Sequence, residues 1–319
     1  EATQFWKGIW GENISHKNDA EWIERVKTNL RGPKQANINI TNCDVKKQIK
    51  SMPKWKGPGP DGLHGFWIKS FSNVHESLST SLSDCINTCD VPTWMVEGRT
   101  ILVMKDVGKG PDVGNYRPIA CLNLIWKLLT GIFSEKTYAY LDLNNMLPVE
   151  QKGCKKGCLG TKDQLAIDKC VIKNSITRKT NLCMSWIDYK KAYDMVPHSW
   201  IIETLKMVGV ADNIIDFISR SMCQWKTNLY SDNQFLGEVN IRRGIFQGDS
   251  FSPLLFVIAL IPITHVLRET NMGYQLEKNG PKINHLLFMD DLKMFAKNEN
   301  EIDSLVQTVQ QCSDDIRME

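Results

Sequence analysis

The chain has 319 residues, 42% hydrophobic and 24% charged, a balance that suits a globular protein with one large core or two smaller ones and excludes a coiled coil or a disordered tail. A formal net charge of +3 is too small to hold a polyanion by itself, so any affinity for nucleic acid must come from where the lysines and arginines are placed. The ten cysteines include no CxxC pair, and the Cys85/Cys89 and Cys154/Cys158 spacings lack nearby histidines. Neither a zinc site nor a disulfide frame is expected, and the thiols read as free in a reducing compartment.

In chain order, Asn18 and Glu21 have the spacing of a capping box ahead of a short helix with Trp22, Ile23 and Val26. A second helical pattern surrounds Val45 and Ile49. The stretch KWKGPGPDGLHG, Lys54 to Gly65, is a break, and a long helical pattern runs from Phe66 towards Cys89. These first hundred residues read as an appendage. Thr100 to Met104 is strand-like, KDVGKGPDVGN is a polar turn, and Tyr116-Arg117-Pro118-Ile119 leads into a helix around Trp126. A second basic, glycine-rich loop, Gln151 to Gly160, precedes a helix from Thr161. Leu182 to Ile187 reads as a buried strand ending at Asp188. Helices at Ser199 to Met207 and Asp212 to Met222, a strand at Glu238 to Arg242 and a helix from Ser252 follow. Last comes a hairpin in which Ile283 to Met289 and Leu292 to Ala296 flank Asp290-Asp291. The longest apolar run, Leu254 to Ile263, is well short of the roughly 20 residues that span a bilayer, so no membrane partner is expected. No signal peptide opens the chain. It begins with Glu, and Ile302 to Glu319 stops inside an uncapped amphipathic pattern, as expected of a fragment cut at both ends.

Alone, an Asp-Asp pair in a turn is ordinary turn chemistry. The apolar residues around Asp188 and around Asp290-Asp291 change that reading, because an acid following buried residues is costly unless a cation or donors meet it. Carboxylates projecting from a rigid sheet into a cleft suit hard divalent cations.

The segments WIDYKKAYDMVPH (Trp186 to His198), RRGIFQGDSFSPLLF (Arg242 to Phe256) and HLLFMDDLKMF (His285 to Phe295), in this order, resemble the successive palm motifs of reverse transcriptases. The resemblance runs from about Lys54 to the end. It is strongest to LINE-type retrotransposons without terminal repeats, particularly Dong-like elements related to those with a restriction-like endonuclease. It implies an α+β fold: a right-hand polymerase palm, an antiparallel sheet backed by helices, with a fingers subdomain before it and the chain ending before primer grip and thumb. Residues 1–97 would lead into the fingers and 98–319 form fingers and palm.

By the same resemblance, Asp188, Asp290 and Asp291 are catalytic and hold two magnesium ions. The activity is RNA-directed DNA synthesis, with an RNA template, a DNA primer or target and deoxynucleoside triphosphates as partners, acting in the nucleus. Tyr193 matches an aromatic ring under the incoming sugar, where it would exclude a 2′-hydroxyl; by spacing alone it is equally a core tyrosine. Gln247 and Gly248, with Ser252 and Pro253 completing QGxxxSP, match the loop along nucleotide and template. Arg117 matches a triphosphate-gripping arginine, suited by its planar fork. Its partner is Lys105 or, by a different alignment of the loop, Lys109. Lys152, Lys155, Lys156 and the Lys54/Lys56 pair would line the template path. The sequence departs from LINE relatives at Met289, where alanine is commoner, and at Cys154 and Lys155, where many have Phe and Arg. The rival readings are an RNA-templated RNA polymerase, which Tyr193 opposes, and an inactive or domesticated copy that only binds nucleic acid.

Overall fold

Helix formation begins within the first turn of the chain, where the sequence reading placed no element. The computed structural model describes residues 1–30 and 32–319. In α1 (Ala2–Trp10) the two buried residues are Trp6 and Trp10, four apart and therefore on one face. Their rings stack with centroids 4.5 Å apart.

Helix α2 (Glu21–Asn29) buries Trp22, Ile23 and Val26 as expected, but its N-cap is Ala20 and no side chain caps it. The capping box forms instead at the start of α3 (Asn42–Ser51). There Thr41 Oγ1 accepts from the Asp44 N–H at 3.2 Å, and the Thr41 N–H donates to Asp44 Oδ2 at 2.9 Å. The long helix expected from Phe66 is two helices, α4 (Gly65–Ser70) and α5 (His75–Thr88), separated by a 3-10 turn at Ser72–Val74. The Ser70 hydroxyl donates back to the Phe66 carbonyl at 2.9 Å, the local competition by which serines end helices.

These helices are not an appendage. Trp6, Trp22, Ile23, Val45 and Ile49 belong to the same continuous core as the later helices. The Trp22 indole donates to Asp315 Oδ2 at 3.0 Å, and the Arg242 N–H donates to the Trp10 carbonyl at 2.8 Å.

Strands β1 (Glu97–Met104) and β2 (Tyr116–Leu122) form an antiparallel hairpin, followed by α6 (Leu124–Leu143) and α7 (Thr161–Arg178). Next come β3 (Cys183–Ile187), α8 (Ala192–Met195), α9 (His198–Met207) and α10 (Asp212–Met222). A hairpin of β4 (Lys226–Ser231) and β5 (Gln234–Asn240) joins the first to give a four-stranded sheet, β2-β1-β4-β5, with β1 and β4 parallel. Only the end of β5 was expected from sequence. The polar string KTNLYS hides β4, yet Asp232 and Asn233, at φ 48° and 64°, make the two-residue hairpin turn for which such residues are suited.

The chain closes with α11 (Ser252–Glu269), a two-stranded ribbon of β6 (Tyr274–Gln275) and β7 (Lys282–Ile283), β8 (His285–Phe288), β9 (Asp291–Ala296) and α12 (Glu299–Ile316). A three-stranded antiparallel sheet, β3-β9-β8, fits the α+β expectation. Helix α12 packs on β3 and β9, and α11 packs on α2, α9 and α12. Helix α11 is long and apolar enough by composition to cross a membrane, but 78% of that window is buried inside the fold.

Two expectations fail here. Strand β3 is an edge strand and not a buried one, with Trp186 66% exposed. Helix α12 is capped at both ends, by the Asn298 side chain accepting from the Glu301 N–H and by Arg317 in the left-handed region at φ 65°.

Because Trp6 is fully buried in the shared core, Trp6→Ala should cost about 3–5 kcal/mol and lower the midpoint of a single urea transition. A main transition left unmoved would mean that the N-terminal helices fold apart from the rest.

Candidate active site

Register brings the three acids together. Ile187, the last residue of β3, pairs with Leu292, so Asp188 emerges at the level of Asp291. Phe288 pairs with Asp291, and the turn between them is Met289-Asp290. The hairpin tip is thus Met289 and Asp290, and Asp291 is already the first residue of β9, a shift of one residue from the expected tip. Asp290 is half-buried, while Asp188 and Asp291 are exposed. Burial raises the Asp290 pKa, and the charges of Asp291 and Asp188 raise it further; its own backbone N–H and Arg117 oppose the shift.

Among the described residues, no three His, Cys, Asp or Glu side chains are gathered closely enough to hold a metal ion. The acids are near enough to repel one another without closing on a common point. Hard oxygen donors with unbalanced negative charge fit a divalent cation.

Arg117 reaches this field from β2, where it is exposed and pairs with Val103. The loop from Lys105 to Asn115 is shaped by its aspartates. Asp106 accepts from the Gly108 N–H at 2.9 Å and Asp112 from the Gly114 N–H at 2.6 Å, while the Lys105 N–H donates to the Asn115 carbonyl at 2.7 Å. The charge of Lys105 acts on Lys191 and Asp194. Lys109 lies exposed in the turn Val107–Lys109.

The Tyr193 ring stacks on Phe256, centroids 4.9 Å apart and planes at 16°. Burial pushes the hydroxyl pKa up, with Cys154 and Asp290 adding to the shift, so the ring edge lies within the field of Asp290. Gln247 is half-buried, and its carbonyl accepts from the Ala120 N–H at 2.7 Å. Gly248 has φ 128°, and a Cβ there would sit 2.4 Å from the Ala120 carbonyl oxygen. The glycine is therefore required by the close approach to β2.

Asp194 escaped the sequence reading, because one more acid in a motif carries no separate signal. It is 2% exposed; Oδ1 accepts from the Trp10 indole and Oδ2 from the Gln247 amide, both at 3.2 Å. Burial pushes its pKa up to about 6, against Lys191 and these donors. Asp249, also buried, accepts from Thr130 Oγ1 at 2.7 Å and from the Phe251 N–H at 3.2 Å, anchoring the start of α11. The His198 Nε2–H donates to the Gly244 carbonyl at 2.8 Å, and burial holds the imidazole down to about 4.

Of the lysines expected along a template, Lys54 and Lys56 are exposed and Lys152 and Lys155 half-buried. Lys156 lies 4.7 Å over the Tyr138 ring. A cleft of about 450 Å³ beside Asp188 and Asp291 is lined by Trp186, Leu286, Phe288 and Lys293, with α7 as its wall. A larger apolar groove, about 600 Å³ between Trp67, Phe71 and Leu78, has no ionisable lining residue and shares none of its lining with that cleft.

The profile of the reverse transcriptase (RNA-dependent DNA polymerase) family matches residues 105–319. The chain belongs to that family. It is 29% identical over 221 residues to the retrovirus-related Pol polyprotein from type-1 retrotransposable element R2 of Popillia japonica, covering 69% of this chain and 30% of that protein. The type-2 element R2DM polyprotein of Drosophila melanogaster is 25% identical over 264 residues, covering 81% and 23%. The transposon TX1 149 kDa protein of Xenopus laevis is 21% identical over 285 residues, covering 86% and 20%. The chain thus spans less than a third of the length of these curated relatives. The expected kinship with LINE-type reverse transcriptases holds.

The buried groups of this chain give its stability a defined pH dependence. His198, and likewise His285 at about 4, stay neutral in the fold, whereas the unfolded chain protonates both below the ordinary 6.5. Stability from these groups is full above that value and is lost as pH falls towards 4. Asp194 works oppositely: between 3.8 and about 6 the folded state holds a proton that the unfolded state lacks, so its contribution falls as pH rises through that window. Urea midpoints between pH 4 and 7.5 should therefore show His198→Gln flattening the acid limb and Asp194→Asn steepening it.

Proposed function

We propose that this chain extends a DNA 3′-hydroxyl on an RNA template by nucleotidyl transfer, within a retroelement protein of the Dong-like kind that carries a restriction-like endonuclease and works in the nucleus. The observation that carries this reading is that Asp188, Asp290 and Asp291 lie at one end of a sheet, near enough for Asp188 and Asp291 to act on the charge of Asp290, with Arg117 in the same field. In this reading β1 and β2 belong to the fingers, residues 1–97 lead into them, and a primer grip and thumb follow in the longer polypeptide.

Asp188, Asp290 and Asp291 would hold two magnesium ions, which when bound activate the 3′-hydroxyl and neutralise the leaving pyrophosphate. The remaining work is positioning. Arg117 and Lys105 grip the triphosphate of the incoming deoxynucleotide, with Lys109 the alternative to Lys105. Tyr193, braced by Phe256, presents a fixed ring edge to the sugar and leaves no room for a 2′-hydroxyl. Gln247 and Gly248 lie along the base and template, and the basic loop residues Lys152, Lys155 and Lys156, with Lys54 and Lys56, contact template phosphates.

Primer extension on an RNA template, run on the full-length element protein, tests this. Wild type should incorporate deoxynucleotides and not ribonucleotides, Asp290→Ala should abolish extension, and Tyr193→Val should admit ribonucleotides. RNA binding with no difference between wild type and Asp290→Ala would leave a domesticated binding module; ribonucleotide extension by wild type would make it an RNA polymerase.

A further inference from the structure

Gln151 is 3% exposed, a depth at which an amide side chain must have its polar atoms paired. Its Oε1 accepts from the Met289 N–H at 2.9 Å and from the Gly153 N–H at 2.8 Å, and its Nε2 donates to the Met289 carbonyl at 3.1 Å. Two N–H donors face one end of the amide and a carbonyl the other, so the amide can sit only this way round. A single side chain thus pairs both main-chain groups of Met289.

Met289 has need of a clamp. It sits at φ 56°, in the left-handed region, which is strained for a residue with a Cβ. Such a conformation persists only where surrounding contacts over-determine it. The loop meets the hairpin on either side as well, with the Leu287 N–H donating to the Glu150 carbonyl and the Lys152 N–H to the Leu287 carbonyl, each at 3.0 Å. Gly153 lets the loop come this close, since a Cβ there would lie 2.6 Å from Met289 Sδ and 2.8 Å from its nitrogen. The loop had been read as template-facing; Gln151 faces the catalytic hairpin instead.

We propose that Gln151 is a positioning residue of the polymerase reaction, acting through Met289 to fix the turn that presents the Asp290 carboxylate. This rests on the reading of Asp290 as a catalytic acid. Gln151→Ala removes all three bonds, and Gln151→Glu keeps the shape and the two accepted bonds but loses the donor to the Met289 carbonyl. The backbone bonds of Glu150 and Lys152 to Leu287 remain in both, so the hairpin stays attached while its turn is freed.

The test is steady-state primer extension on the full-length protein with both variants, alongside hydrogen exchange of the hairpin amides. We expect kcat to fall tenfold to about a hundredfold, as for a reacting group displaced by roughly 1 Å. KM for deoxynucleotide and template–primer affinity should stay within about threefold, Gln151→Glu should lie between wild type and Gln151→Ala, and protection of the Met289 N–H should be lost while that of β9 is kept. Unchanged kcat, or kcat, KM and melting temperature falling together, would overturn the proposal, the second result meaning only a structural role. Wild type without extension sinks the polymerase reading, and with it the catalytic part of this one. The exchange of the Met289 N–H then still decides whether Gln151 holds the turn.

Discussion

Three carboxylates held at one end of a three-stranded sheet repel one another, and much of the surrounding structure resists that repulsion. The raised pKa of Asp290 carries part of it: burial comes first, Asp291 and Asp188 add to it, and its own backbone N–H and Arg117 on another sheet oppose them. A sheet can impose such a juxtaposition because its register is discrete. Slipping β3 by one residue against β9 would turn Asp188 and Trp186 to the opposite face and drive Ile187 out of the core. The backing layer makes that slip costly, since Leu292 and Met294 of β9 are almost fully buried in the main core. The strain of the site is thereby transferred to apolar packing, chiefly that of α12 on β3 and β9.

A second constraint joins the two sheets. The segment from Tyr193 to Pro197 lies against the segment from Arg243 to Ile245, through Ile245 N–H to the Tyr193 carbonyl and Gly244 N–H to the Val196 carbonyl, each 2.8 Å. Gly244, at φ 83°, has no room for a Cβ, which would meet the Asp194 carbonyl at 2.6 Å. The Gln247 carbonyl then ties the same segment to β2, which carries Arg117. Tyr193, Gln247 and Arg117 come from distant parts of the sequence, yet main-chain hydrogen bonds couple them, so their relative positions depend little on side-chain freedom.

What was legible in the sequence follows from this division. The acids, Tyr193, Arg117 and the Gln247-Gly248 pair could be singled out because they fall within short motifs, α9 and α10 could be placed by their apolar period, and α6 and α11 by being apolar through most of their length. Helix α1 was not, since nine residues with two buried tryptophans give too short a pattern to stand above noise. Strand β4 was hidden by its polar residues, which a half-buried strand tolerates on its outer face. The capping box went to Thr41 and not to Asn18 because helix starts depend on where the preceding chain is held, which is a tertiary fact. Gln151, Asp194 and Asp249 lay beyond sequence reasoning for a similar reason: Gln151 is buried against a partner 138 residues away, Asp194 against partners 53 and 184 away and Asp249 against one 119 away, and nothing local marks the pairing.

The buried polar residues also explain how a chain with a net charge of only +3 can assemble so acidic a centre. Compensation is local and differs by side chain. Asp194 is met by an indole, an amide and the charges of Lys191 and Lys105; Asp249 by a threonine hydroxyl and a backbone N–H; and Lys293, opposite Trp186, by Asp168 at 2.5 Å. Each of these acids has its own donors within the fold. The acids at the hairpin and at the end of β3 are different, because Arg117 is the cation that acts on Asp290 and it is itself exposed. An exposed guanidinium is well solvated and is a weak permanent counter-ion. The negative charge left at the end of the sheet is then a property of the resting protein, and a divalent cation is the kind of partner that would balance it.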